Sequence, residues 1–428
     1  MNDKRTANEL SEDTALRPEH AECAIDRSLV RNLIAITASR LCVESFGNRL
    51  RAIVLTGSMA RDEATIALEN GQWRVVGDAE FLLIFHNRAA LPGQEAIGGF
   101  GKSIEDGLRL QQVSCPITLS AAKAAYLRGL PPHIFGYELR ECGRVVWGEA
   151  SILSLISPFS AADIPLEDGW RLLSNRIVEH VEVARAWDAQ VQAMPSFVQY
   201  QTIKLCLDTA TSFLLFAGAY APTYGGRQVA LDHILEKAAE KGRFLFLQKT
   251  FSRQVSLCTQ WKLGISAPGS ELNLGARFWE SVVSSACAVW KWELSILTGL
   301  PAQADFHELC KKSMRAQNAS QRARGWLVVL RESGWLRSWR RWPNWVGKVW
   351  QGSPRHWVYL AAFELFSRLD ALLGSRGADP ELDVNWTEVR GWLPLTGSLQ
   401  ANSVRGDWRQ LASEIAWNYH AFVEKTRA

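Results

Sequence analysis

Residues 50–85 read LRAIVLTGSMARDEATIALENGQWRVVGDAEFLLIF. An apolar run over residues 52–56 stops at Gly57-Ser58, and a second run, residues 81–85, is headed by Asp78-Ala79-Glu80. Side chains two apart on a strand point the same way, so Asp78 and Glu80 share one face. Phe81, Leu82, Leu83, Ile84 and Phe85 are apolar at every position, as in a strand covered on both sides. Two carboxylates on the lip of a buried strand are costly unless a cation offsets them, and Mg²⁺ prefers such oxygen ligands. The turn at Gly57-Ser58 offers backbone N–H groups and the Ser58 hydroxyl, which suit a phosphate. A phosphate seat beside a divalent-metal seat is the minimum equipment for moving a nucleotidyl group. The same residues admit a plainer reading, with a hairpin turn at Gly77-Asp78, a solvated Glu80 and a loop at Gly57-Ser58.

Outward from this stretch, residues 1–26 read as a disordered leader. Apolar spacing across residues 25–46 then predicts an amphipathic helix leading into the first strand. Glu69-Asn70-Gly71 is a turn signal before a short strand at 73–76. After Phe85, residues 87–101 read as a Gly/Pro loop, 104–110 as a helix, 113–119 as a third strand and 144–148 as the strand that closes the domain.

The stretch resembles the minimal nucleotidyltransferase domain of the DNA polymerase β superfamily. Its members carry Gly-Ser after the first strand and an Asp-x-Asp or Asp-x-Glu pair on the next long strand. Gly57, Ser58, Asp78 and Glu80 match that pattern. Arg61 and Glu63 resemble the GSxARGE variant of small bacterial members, with Asp62 where glycine is usual. Over residues 27–150 the resemblance implies an α+β domain, a mixed sheet flanked by helices. It also implies a nucleoside triphosphate, ATP the first candidate, with its phosphates at Gly57, Ser58 and Arg61 and Mg²⁺ at Asp78 and Glu80. The superfamily places a third carboxylate on the next strand. Residues 113–120 hold none; Thr118 or Ser120 stands there, and of the two downstream acids that could reach back, Glu138 and Glu141, Glu138 is the one expected to do so.

At 428 residues the chain is long for one core, which favours two or three domains. No segment approaches the roughly 20 apolar residues that span a bilayer, and the polar N-terminus lacks a signal-peptide core. The eight cysteines are scattered without metal-finger spacing and read as reduced core residues of a cytoplasmic protein.

From Ser160 onward the periodicity is helical, predicting an all-α bundle: a substrate domain over residues 151–300 and a C-terminal region over 301–428. Residues 197–220 are apolar or small except for Lys204, Asp208 and a few hydroxyls. Lys204, Asp208 and Thr211 fall on one helical stripe. Either Lys204 reaches the triphosphate across an interdomain cleft with Asp208 orienting it, or an internal Lys204–Asp208 ion pair fixes the bundle register.

Net charge is +4, yet residues 311–357 hold eleven Lys and Arg against one acid, Glu332. That tract is +10, leaving −6 for the rest of the chain. Seven tryptophans between Trp326 and Trp357 are interleaved with those cations. They can pack into the bundle with arginine heads snorkelling, lie at an anionic membrane surface, or stack on nucleic acid. Pro343, Gly347 and Gly352 are expected to interrupt a long amphipathic helix.

The expected function is Mg²⁺-dependent transfer of a nucleotidyl group from the triphosphate to a hydroxyl acceptor, a small molecule before a protein or RNA end. The alternative is a nucleotide-binding scaffold that has lost transfer and docks a partner, membrane or RNA through the cationic tract. The expected location is the cytoplasm, with the inner membrane surface as a peripheral site.

Overall fold

The computed structural model describes residues 18–187, 194–240, 244, 247, 250–264, 275–301, 303–317, 319–333, 342–374, 386–395 and 404–426. Pro18 opens the first helix, α1 (Pro18–Phe46). Proline lacks an N–H and has φ already fixed, so it fits the first helical turn. Residues 1–17 of the expected leader lie outside the described residues, and residues 18–26 are helical instead.

The chain divides into two compact units. The first holds residues up to Pro131, with Phe135–Pro158 and Lys262–Gly264; the second holds Pro132–Ile134, Phe159–Trp261 and the residues beyond Gly264.

In the first unit α1 leads to β1 (Leu50–Thr56), a one-turn helix α2 (Gly57–Ala60), the hairpin β2 (Thr65–Glu69) and β3 (Gln72–Val76), and β4 (Ala79–Phe85). The hairpin turns at Asn70-Gly71, both with positive φ (52° and 78°), as a two-residue turn of matching twist requires. Then follow α3 (Gln94–Arg109), β5 (Val113–Ser114), β6 (Ile117–Lys123), α4 (Ala124–Arg128), α5 (Ile134–Cys142) and β7 (Arg144–Gly148).

The unit has two sheets, ordered β6-β4-β1-β7 and β2-β3-β5. In the larger sheet β1 runs antiparallel to β4 and β7, while β4 runs parallel to β6. The expected third strand is split between the two sheets at Cys115-Pro116, where the proline has no N–H to donate to a ladder. The Pro116 carbonyl instead accepts from the Ala79 N–H (2.9 Å), setting the entry of β4.

Strands β1 and β4 are buried on both faces. Phe81, Leu83 and Phe85 join Ile53, Leu55, Ile34 and Ile104 in the core. By strand alternation Glu80 lies on the opposite face. Helix α3 begins at Gln94, within the stretch read as a loop. Its Gly101 explains this: a Cβ there would stand 3.1 Å from the Ile117 carbonyl oxygen, so glycine lets α3 lie close against β6.

The second unit is helical: α6 (Leu166–Arg185), α7 (Ser196–Phe216), α8 (Tyr224–Glu240), α9 (Phe251–Lys262), α10 (Ala276–Thr298), α11 (Phe306–Ala316), α12 (Ala319–Ser333), α13 (Trp342–Gln351), α14 (Pro354–Phe366), α15 (Leu369–Gly374), α16 (Trp386–Trp392) and α17 (Val404–Thr426). It joins what the sequence divides at residue 300, because α6 packs on α7, α14 and α17. Tryptophans carry the core. Trp290 stacks on Phe363 at 3.8 Å and donates to Ser174 Oγ (2.9 Å). Trp279 donates to His180 Nε2 (2.8 Å), whose pKa burial lowers to about 3, so the ring stays a neutral acceptor. The described cysteines are unbridged, as expected. No helix among the described residues is long and apolar enough to cross a membrane.

Candidate functional site

Because β1 and β4 are antiparallel, the end of β1 meets the start of β4, and Thr56 pairs with Glu80. Because β4 and β6 are parallel, Glu80 also pairs with Thr118. Thr56, Glu80 and Thr118 thus form a row across three strands, with Asp78 two residues before Glu80 and Gly57-Ser58 directly after Thr56. The bend and the acids that the sequence separates by some twenty residues stand together at one sheet end.

Gly57 has a φ of +65°, and a Cβ built on it would lie 2.9 Å from Glu80 Oε2 and 3.1 Å from its Cδ. Only glycine permits both that backbone and that approach. Thr56 Oγ1 donates to Glu80 Oε2 (3.3 Å), and Thr118 Oγ1 donates to Asp78 Oδ2 (2.6 Å). Burial and then the Asp78 charge raise the Glu80 pKa, while the Thr56 bond and Arg61 pull it down. A carboxyl with a raised pKa must give up its proton to ligate a cation, so a divalent ion bound by Glu80 would compete with that proton.

The donor set is entirely oxygen: two carboxylates and the hydroxyls of Thr56, Ser58 and Thr118. That chemistry fits Mg²⁺. Of the two hydroxyl residues expected in place of a third acid, both exposed, Thr118 bonds Asp78, while Ser120 stands two positions on, opposite Leu82. Among the described residues no group of three or more His, Cys, Asp or Glu side chains is gathered to hold a metal ion.

Arg61 is nearly buried and donates to Glu63 Oε2 (2.9 Å) and to Glu138 Oε2 (2.7 Å). Glu138 on α5, expected to reach back to the metal pair, is held by Arg61, which follows α2, although its charge still raises the Glu80 pKa. The guanidinium expected at the phosphates is shared between two carboxylates of the same rim. Asp62, standing where the resembled variant has glycine, adopts φ +60° and pairs with Arg144. Asp is among the few non-glycine residues that tolerate that conformation.

Lys204 and Asp208 belong to the second unit. Asp208 accepts from Arg176 Nε of α6 (2.6 Å), and Arg176 also pairs with Glu179. Burial opposes the charge on Arg176, but Asp208 and Glu179 outweigh it and keep the guanidinium protonated. Thr211 Oγ1 donates to the Leu207 carbonyl (2.7 Å) and accepts from Arg227 (3.1 Å). Lys204 Nζ lies 5.6 Å from the Tyr200 ring centroid. Asp208 and Thr211 of the α7 stripe are thus met inside the bundle, by Arg176 of α6 and Arg227 of α8.

Sequence reasoning missed Thr56, whose signal was its position beside the Gly57 bend, and Arg176, whose helix face points it at α7. No protein-family model, curated protein or solved structure matches the chain.

Proposed function

We propose that the first unit binds a nucleoside triphosphate with Mg²⁺ and transfers its nucleotidyl group to a hydroxyl acceptor. The observation that carries this is the convergence of Asp78, Glu80 and the left-handed Gly57 bend at one sheet end. Asp78 and Glu80 would hold the cation through their oxygens. The absent side chain at Gly57 and the Ser58 hydroxyl would leave room and a donor for phosphate. Bound Mg²⁺ would supply neutralisation of the charge that develops on the triphosphate and its leaving pyrophosphate. The acceptor oxygen would bond to the α-phosphorus as the bond to pyrophosphate breaks, its proton passing to solvent. The left-handed, glycine-favouring conformation at Asp62 is a further point of likeness to the polymerase β-like pattern.

Thr118 favours a second reading, nucleotide binding without transfer. Its hydroxyl occupies Asp78 Oδ2 and cannot take a proton at neutral pH as a carboxylate can. One experiment separates the readings: full-length protein is given each labelled triphosphate, Mg²⁺ and a cell extract, beside Asp78→Ala. Label transfer that needs Asp78 supports the enzyme. Mg²⁺-dependent nucleotide binding without transfer supports the scaffold, and absence of binding sinks both.

A further inference from the structure

The cationic tract divides into a buried part and an outward part. Trp326, Trp345 and Trp357 are buried, which matches the packing option for those three. Trp335, Trp339, Arg337, Arg340, Arg341 and the Trp342 side chain lie outside the described residues. Pro343 sits in the first turn of α13 and Gly347 within it, so only Gly352 ends that helix. Lys348 is also turned inward: its Nζ donates to the Gly391 and Leu393 carbonyls, and burial lowers its pKa to about 8.

What remains outward is apolar and basic. Trp350 is 77% exposed, Leu327 63% and Val346 59%. Arg322 donates to the Trp350 carbonyl (2.7 Å) while Trp326 lies 6.2 Å from Trp345, so α12 and α13 run antiparallel. In an antiparallel pair, residues one step past the buried seam turn to the same side. Leu327 follows Trp326 and Val346 follows Trp345, and Trp350 is one turn beyond Val346. Arg324 and Arg331, exposed three residues before and four after Leu327, share that face. Helix α13 contains no acid and α12 only Glu332.

We propose that the outer face of α12 and α13 docks on an anionic membrane surface, with Leu327, Val346 and Trp350 at headgroup depth and Arg324 and Arg331 against lipid phosphates. Charge complementarity calls for an anionic occupant. Two of the three exposed apolar groups are aliphatic and cannot stack on bases, which favours lipid over nucleic acid. Both helices are too short to span, so they lie in the interface plane. This surface is independent of the site in the first unit.

Flotation of the full-length protein with phosphatidylcholine vesicles, with and without phosphatidylglycerol, tests it. Binding is expected only with the anionic lipid, and it should weaken as salt rises. Arg324→Gln with Arg331→Gln should weaken it roughly thirtyfold, and Leu327→Ser with Trp350→Ser should abolish flotation. All four positions are exposed, so unchanged circular dichroism and melting would show the variants folded. No flotation, flotation equal on neutral vesicles, or variants that float like wild type overturn the proposal. So does tight binding of a single-stranded RNA that the same variants abolish in the absence of any vesicle binding.

Discussion

Glu80 Oε2 stands 2.9 Å from the point where a Cβ on Gly57 would be, across the antiparallel pairing of β1 and β4. Substitution Gly57→Ala therefore meets two obstacles. The φ of +65° costs an L-residue about 1–2 kcal/mol, and the new methyl pushes the Glu80 carboxyl from its place. Chemical denaturation should register that loss of stability. Nucleotide and Mg²⁺ affinity, measured by titration calorimetry, should fall further than stability alone explains. A Gly57→Ala protein that binds as wild type would separate the bend from the site.

Thr118 stands in register with Glu80 and bonds Asp78, so Thr118→Asp would gather three carboxylates at one lip. Without metal the added like charge should lower stability by up to about 1 kcal/mol. With Mg²⁺ the penalty should vanish or reverse, because a cation offsets all three acids. Melting temperatures with and without Mg²⁺ measure this directly. On the enzyme reading the same variant should also raise label transfer. A melting temperature indifferent to Mg²⁺ would argue against a cation at Asp78 and Glu80.

The core of the first unit was legible because its strands announce themselves. Apolar runs at 52–56 and 81–85 sit inside β1 and β4, and Asn70-Gly71 marks the β2–β3 turn. The meeting of the Gly57 bend with Asp78 and Glu80 was legible for the same reason: Gly57 ends one run and Asp78 heads the other, and antiparallel pairing brings those ends together. What was not legible depended on packing between distant residues. Gly98, Gly99 and Gly101 read as loop signals, yet Gly101 is there so that α3 can approach β6. Partners of charged groups were equally hidden. Nothing in the spacing of Lys204 and Asp208 reveals that Arg176, on another helix, takes the Asp208 carboxylate. Nor does the sequence show that Glu138 is occupied by Arg61.

Arg61 is 6% exposed and links Glu63, also 6% exposed, to Glu138 at 18%. Removing the guanidinium takes an ion-pair partner from two acids in a poorly solvated place. Arg61→Ala should cost about 3–5 kcal/mol, read by urea unfolding. Arg61→Lys should recover only part, since an ammonium lacks the planar fork that serves two partners. Glu138→Gln keeps an acceptor for Arg61 and should cost about 1 kcal/mol. If that variant keeps stability but loses label transfer, Glu138 acts in the chemistry as well as holding Arg61.

Glu293 on α10 is fully buried, and among the described residues neither of its carboxyl oxygens has a hydrogen-bond partner. Burial pushes its pKa well above the usual carboxylate range; the Ser212 hydroxyl nearby opposes this but stands outside hydrogen-bond geometry. In the folded state the group holds its proton to a higher pH than in the unfolded chain. Between those two pKa values the native state binds more protons, so stability falls as pH rises through that window. The contribution is fully present below the unfolded value and gone above the folded one. Glu293→Gln removes the titration and should flatten the decline in unfolding free energy above pH 5. Glu293→Met also removes the unpaired polar atoms and should gain about 1–3 kcal/mol at neutral pH. Urea unfolding of the three proteins at several pH values between 5 and 8 is the measurement. Parallel pH profiles for wild type and Glu293→Gln would mean that Glu293 has a partner in solution that keeps its carboxyl in the ordinary range.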